Sequence, residues 1–262
     1  MELVLVSLAA LVVAALTLYS GFGLGTLLMP VFALFFPLEV AVGVTAIVHL
    51  LNNLFKVWLV GKDVSWPVAL RFGLPAIPAA YFGAAILAGM SQRHVIAQYT
   101  LASRQFEVTT IGLVMGILIG VFSLLDLLPV FDRLEFGKKL VPAGGALSGF
   151  FGGLSGHQGA LRSAFLANAG LSKEAFIATG VICSVAVDVT RLAVYGVAVT
   201  GPRARDLLAG DGLRLLAAAT LAALLGSYFG ARLLPKATMT LVRRLVGAML
   251  LLLALAIAAG WI

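Results

Sequence analysis

Charge is scarce in this chain. Asp, Glu, Lys and Arg make up 11% of its 262 residues, against 61% apolar residues, and the mean hydropathy is +1.09. A soluble domain carries roughly 25% charged residues, so a water-facing globule of this size is excluded. Cysteine is nearly absent. Cys183 stands alone in an apolar run, so neither an intrachain disulfide nor a cysteine metal cluster can form, and the thiol reads as core. Acidic residues number 11 against 18 basic ones, a net charge of +7. The loop basics lie in ones and twos, without the long patch that a phosphate backbone needs, so the reading has no nucleic-acid partner. Deep in the apolar runs carboxylates are rarer still, with Asp126 and Asp188 the two well inside; a cation channel or metal permease wants many. Neither an HExxH zinc motif nor a GxSxG nucleophile elbow occurs, which argues against an intramembrane enzyme. No cofactor and no metal site is expected.

What the chain has in abundance is apolar runs of membrane-spanning length, at 39–60, 66–89, 107–129, 174–200, 213–234 and 239–262. Crossing the hydrocarbon takes ~20 helical residues, so these predict six ordinary spans of an all-α polytopic membrane protein. Regions 2–36 and 139–170 are each too long for one span. Each is cut by a glycine-rich turn, Ser20-Gly21-Phe22-Gly23-Leu24-Gly25-Thr26 and Gly152-Gly153-Leu154-Ser155-Gly156-His157-Gln158-Gly159. Two shorter helices are expected from each, either short spans or re-entrant halves, for roughly 8 to 10 membrane helices in all. The first twenty residues lack a basic n-region and a small-x-small cleavage site, so they read as a retained membrane segment. Polar loops are expected at 61–66, 90–106, 130–138 and 200–212.

The two breaks belong to two similar halves. At a shift of 134, Gly25, Leu27, Ala33, Ala41 and Thr45 match Gly159, Leu161, Ala167, Ala175 and Thr179, and Tyr81-Phe82-Gly83-Ala84 recurs as Tyr228-Phe229-Gly230-Ala231. An internal duplication follows, with a first transmembrane repeat at 1–130, a linker at 131–138 and a second repeat at 139–262. Counting each broken region as two elements gives five per half, an odd number, so the repeats are expected to be inverted. That count places Lys62, Arg133, Lys138, Lys139, Lys173, Lys236, Arg243 and Arg244 on one side, opposite Arg93, Arg104, Arg203 and Arg205. The positive-inside rule makes the first side cytoplasmic and turns both termini outward.

Polar residues inside the spans fall on defined faces. His49, Asn53 and Lys56 stand at i, i+4 and i+7 in one run, and Ser184, Asp188, Arg191 and Tyr195 repeat that spacing in the other half. Membrane interiors exclude such groups unless they are paired, wet or functional. Asp188 and Arg191, at i, i+3, could simply neutralise each other, and Lys56 could snorkel to the loop at Gly61. The alternative is a binding pathway. Each glycine break precedes a short helix, beginning near Gly23, Gly25 and Thr26 in one half and near His157, Gln158 and Gly159 in the other. Unsatisfied N–H groups and the positive dipole end at such a start favour an anion. Arg162, one turn into the second short helix, would join Lys56 and Arg191 in a cationic lining suited to an oxyanion; as an interfacial anchor it would lie near the helix end instead. Ser155, Gln158, Thr26 and Asn53 supply neutral donors. His49 and His157 titrate near neutral pH and, with Asp188, are the candidates for coupling a proton to the anion, although packed histidines would look the same. Trp58, Trp66 and Trp261 lie near span ends, as an interfacial belt would place them.

These residues resemble a known family. The first break with Leu27-Leu28-Met29-Pro30, the segment Glu39-Val40-Ala41-Val42-Gly43-Val44-Thr45, and the second-copy Gly-Leu-Ser-Gly-His-Gln-Gly with Leu171-Ser172-Lys173-Glu174-Ala175 are similar to TauE/SafE-type sulfite exporters over almost the whole chain. The resemblance implies a secondary transporter moving sulfite, sulfoacetate or a related organosulfonate out across a bacterial cytoplasmic (inner) membrane. Sulfur enters from the resemblance, and the anion pathway from the residues. A cation or metal permease and an intramembrane enzyme stand as the alternatives. The partners expected are a small anionic substrate and membrane lipid.

Overall fold

The computed structural model of the chain describes residues 2–20, 24–90, 94–128, 136–199, 211–233 and 239–261. Its helices are α1 (Glu2–Ser20), α2 (Leu24–Ala33), α3 (Leu38–Val60), α4 (Trp66–Met90), α5 (Thr110–Leu127), α6 (Val141–Ser155), α7 (Gly159–Ala167), α8 (Lys173–Val199), α9 (Asp211–Leu233) and α10 (Met239–Ala258). Among the described residues four segments are long and apolar enough to cross a membrane, Val40–Asp63, Trp66–Met90, Lys173–Gly196 and Gly212–Gly230, with shorter apolar helices at Leu3–Ala15 and Thr110–Leu125. The chain is a multi-pass helical membrane protein. Its outer surface is apolar, as lipid requires: Leu70, Leu74, Ile77, Tyr81, Phe82 and Ile86 all face outward from α4.

Small residues decide which helices touch. On α6, Cβ atoms built at Gly145, Gly149 and Gly153 would fall 2.0, 2.2 and 2.1 Å from the carbonyl oxygens of Phe72, Ala76 and Ala80 on α4. With every fourth residue a glycine, the two backbones approach as closely as in small-xxx-small membrane packing. The paired numbers rise together, so α4 and α6 run in the same direction. The same construction appears between α9 and α1, where Gly226 and Gly230 would clash with Leu11 O at 2.1 Å and Ala15 O at 2.6 Å. Helices α5 and α10 run in opposite directions, with Gly112 against Ile257, Gly116 against Ala254 and Gly247 against Leu127.

The second break turns the chain back on itself. Gly144 lies against Phe165 and Gly152 against Gln158, so α7 returns along α6 and ends level with the start of α6. Helix α8 then rises beside α4, with Ser65 N donating to Thr179 Oγ1 at 3.0 Å and Cys183 Sγ 3.9 Å from Ala69 O. Helix α3 descends against α8: its middle meets Asp188, while the 3-10 turn Gly61–Asp63 that follows it lies beside α8. Lys62, Lys138, Lys139 and Lys173, which precede or begin α4, α6 and α8, therefore share one end of the molecule. Two apolar cores result. One joins α4 with α6, α7 and α8, and the other joins α1, α2 and α3 with α5, α9 and α10 and takes in Ala84 and Leu87 of α4, Leu154 of α6 and Tyr195 of α8.

The stretch 90–106 departs from the expected loop. It holds an antiparallel hairpin, β1 (Val95–Leu101) with β2 (Arg104–Thr109), and the latter takes the first residues expected of the span 107–129. Ala102 and Ser103 turn it with φ of 49° and 65°, the positive values a two-residue hairpin turn requires. Tyr99 donates to Ala259 O at 2.8 Å and Trp261 Nε1 to Tyr99 Oη at 2.6 Å, pinning the hairpin to the end of α10. Trp58 and Trp66 are exposed. The linker residues 131–135 and most of the loop at 200–212 lie outside the described residues.

Candidate functional site

The polar faces of α3 and α8 are buried and turned toward each other. His49, Asn53 and Lys56 on α3 and Ser184, Asp188, Arg191 and Tyr195 on α8 are all buried. Asp188 is the centre. Its Oδ2 lies 2.6 Å from His49 Nδ1 and accepts from Asn53 Nδ2 at 3.2 Å. Its Oδ1 pairs with Arg191 Nη2 at 2.8 Å and accepts from Gln158 Nε2 at 3.1 Å. Asp188 and Arg191 do neutralise each other within one helix turn, as their spacing allows, yet the same carboxylate ties together α3, α8 and the turn before α7. A buried carboxylate is tolerable only with such a complete set of donors.

The glycine break supplies the other wall. Gly156 ends α6 with φ of 82°, a left-handed conformation that glycine adopts without a Cβ clash. A Cβ there would also fall 2.9 Å from Arg191 Nη1, so the break doubles as the space for the guanidinium. Gly25, at the start of α2, comes against the opposite side: its Cβ position lies 3.4 Å from Gly156 O and 3.6 Å from His49 Cδ2. The two breaks meet. Gly23 lies outside the described residues, as does the side chain of Thr26. Ser155 Oγ donates to Phe151 O at 3.1 Å and sits 3.0 Å from His157 Nδ1. The His157 ring stacks on Phe122, centroids 5.3 Å apart, and its Nε2 has no hydrogen-bond partner among the described residues. No side chain caps the start of α7.

Arg162 is buried, not interfacial, and its guanidinium donates to Ser184 Oγ. Lys56 lies within electrostatic range of Arg162 and is 7% exposed, so it does not snorkel to a loop. Lys56 makes no ion pair or hydrogen bond among the described residues. Because α3 and α8 run oppositely, Lys56 and Ser184 both stand on the lysine-rich side of Asp188. On the other side, Tyr195 donates to Gly153 O and Arg191 Nη1 reaches Gly152 O at 3.4 Å, closing α8 against the end of α6. The interior cations Lys56, Arg162 and Arg191 outnumber Asp188, the one buried carboxylate among the described residues. Like charges gathered out of water are costly without a counter-charge.

Some buried polar groups were not on the faces read from the sequence. Ser227 Oγ on α9 donates to Asn52 Oδ1 at 2.7 Å, both fully buried, tying α9 to α3. Asn52 stands one residue off the His49–Asn53–Lys56 face, and only its polarity inside an apolar run could have marked it.

Helices of spanning length, two breaks meeting in the interior and a cationic polar column between them define a membrane transporter. The chain matches the family model described as sulfite exporter TauE/SafE over residues 6–257. It belongs to the TauE/SafE sulfite exporter family. No curated protein and no solved structure matches the chain.

Proposed function

We propose that this protein is a secondary transporter that carries a small sulfur oxyanion, such as sulfite, sulfoacetate or a related organosulfonate, outward across a bacterial cytoplasmic membrane by alternating access. The observation that carries the reading is the excess of buried cations over Asp188 at the point where the two helix breaks meet. An oxyanion offers these cations a counter-charge to pair with and enough acceptors to engage several donors at once. Lys56 and Arg162 receive it first from the lysine-rich end, and Arg191, Gln158, Asn53, Ser155 and His157 complete the seat. Gly23, Gly25 and Thr26 are assigned to the same seat. Proton coupling is assigned to His49, His157 and Asp188.

Two inverted repeats, 1–130 and 139–262 joined at 131–138, are supported by the packing: α4 with α6 mirrors α9 with α1, and the corresponding α3 and α8, like α5 and α10, run oppositely. Both breaks are then re-entrant hairpins, and the lysine-rich end is cytoplasmic.

Substrate range and charge dependence test this together. Proteoliposomes with purified protein should bind and exchange sulfite or a sulfonate more strongly than a carboxylate of similar size. Lys56→Gln and Arg162→Gln should each weaken substrate half-saturation by about tenfold or more, the scale of one charge-assisted contact of ~1.5–3 kcal/mol. Equal half-saturation in both variants and wild type would remove these residues from the seat. Exchange of cations in place of anions would remove the function.

A further inference from the structure

Asp188 and Arg191 hold each other less completely than they could. They stand at i, i+3 on α8 and touch through Oδ1 and Nη2 at 2.8 Å, whereas an arginine fork is best filled by two parallel bonds to one oxyanion. Their contact is an ion pair without hydrogen-bond geometry: neither Nη2 nor Nε of Arg191 has a hydrogen-bond partner among the described residues, and Nη1 reaches Gly152 O at 3.4 Å, although the residue is fully buried. The carboxylate is in the opposite position. Without Arg191 it would keep His49 at 2.6 Å, Gln158 at 3.1 Å and Asn53 at 3.2 Å. Arg191 has room for a better partner than Asp188, and Asp188 has partners that would retain it.

We propose that Asp188 is a resident counter-ion that occupies the seat of the substrate on Arg191, and that a substrate oxyanion displaces it only as one proton from solvent joins the His49–Asp188 pair. The inference rests on the anion-carrier reading above and adds how the anion is admitted. The charges balance: a monoanion brings one negative charge onto Arg191, the proton neutralises the one released, and the net charge of the buried cluster is unchanged. Displacement without the proton would leave a buried carboxylate stripped of its cation, which is the costly state. The hydrogen bond between His49 Nδ1 and Asp188 Oδ2 already holds one proton, so the added proton goes to the other ring nitrogen, Nε2, and loading needs no motion of α3 against α8. The charged and titratable groups that face Asp188 are His49 from α3, Arg162 from α7, and Arg191 and Tyr195 from α8. Of these, histidine is the residue type that ordinarily changes charge between pH 5 and 8.

The test counts protons on binding. Sulfite, methanesulfonate and ethanesulfonate are titrated into the purified full-length protein in weak buffer with a pH indicator, and protons are counted for the last two, monoanions that do not themselves titrate between pH 6 and 8. Uptake of about one proton per anion is expected, with Kd rising up to about tenfold per pH unit where uptake is complete. Asp188→Asn should bind the same anion with no proton uptake and a Kd that is flat with pH. Anion binding by the wild type without proton uptake overturns the counter-ion role and leaves the carrier reading standing. If Asp188→Asn does not fold, the wild-type count decides alone. Failure of all three anions to bind folded wild type removes the carrier reading, and the counter-ion with it.

Discussion

At the scale of the residue, the site is governed by how few charges it contains and by the excess of cations among them. Arg191 sits between Asp188 and the Gly156 turn, so charge reversal there would oppose two buried carboxylates and report folding before transport. Lys56 is the more informative position, because it lacks a bonding partner among the described residues. Lys56→Glu should abolish anion exchange while the protein remains folded and membrane-embedded, as judged by gel filtration and exchange assays on one preparation. Exchange at the wild-type rate would place Lys56 outside the path. Gly156 gives a prediction about stability. Alanine there must hold φ near 82°, at ~1–2 kcal/mol for a left-handed residue, and must also push Arg191 Nη1 from 2.9 Å. A lower Tm for Gly156→Ala is expected; an unchanged Tm would mean that the turn relaxes freely.

At the scale of the element, glycine works as an address. Gly149→Val should prevent recovery of monodisperse protein, because its Cβ would sit 2.2 Å from the Ala76 carbonyl oxygen. Gly43→Ala in α3, which has no atom within 4 Å of its Cβ position, should be neutral or gain up to about 1 kcal/mol from helix propensity. Detergent-solubilised yield and Tm of the pair decide, and equal behaviour would contradict the packing. The polar faces of α3 and α8 could be read from the sequence because His49, Asn53, Lys56, Asp188 and Arg191 are rare events in apolar runs, and their 3–4-residue spacing leaves little choice of face. The partners of the apolar helices could not. Leucine-rich surfaces carry no direction, so the pairing of α4 with α6 was hidden in Gly145, Gly149 and Gly153, which read equally well as part of the break. The hairpin was missed because its turn is Ala102-Ser103, not the Asn-Gly that usually marks one.

At the scale of the whole molecule, the packed bodies cross the boundary between the sequence halves. Helix α4 shares a core with α6, α7 and α8, while α9 shares one with α1, α2 and α3. Orientation can be checked separately. Ser103, at the hairpin tip, and Lys62, beside α4, lie at opposite ends, and the native Cys183 is buried. In intact cells, a membrane-impermeant maleimide should label Ser103→Cys directly and Lys62→Cys only after permeabilisation. The reverse pattern would invert the topology.

On this reading the buried cationic column moves a sulfur oxyanion. That movement is tested most directly by counterflow in proteoliposomes loaded with unlabelled sulfite and diluted into radiolabelled sulfite. Transient accumulation of label is expected, abolished by Lys56→Glu and suppressed by external sulfonates but not by monovalent cations. Folded wild-type protein that gives no counterflow with sulfite or with any sulfonate of the panel would contradict it.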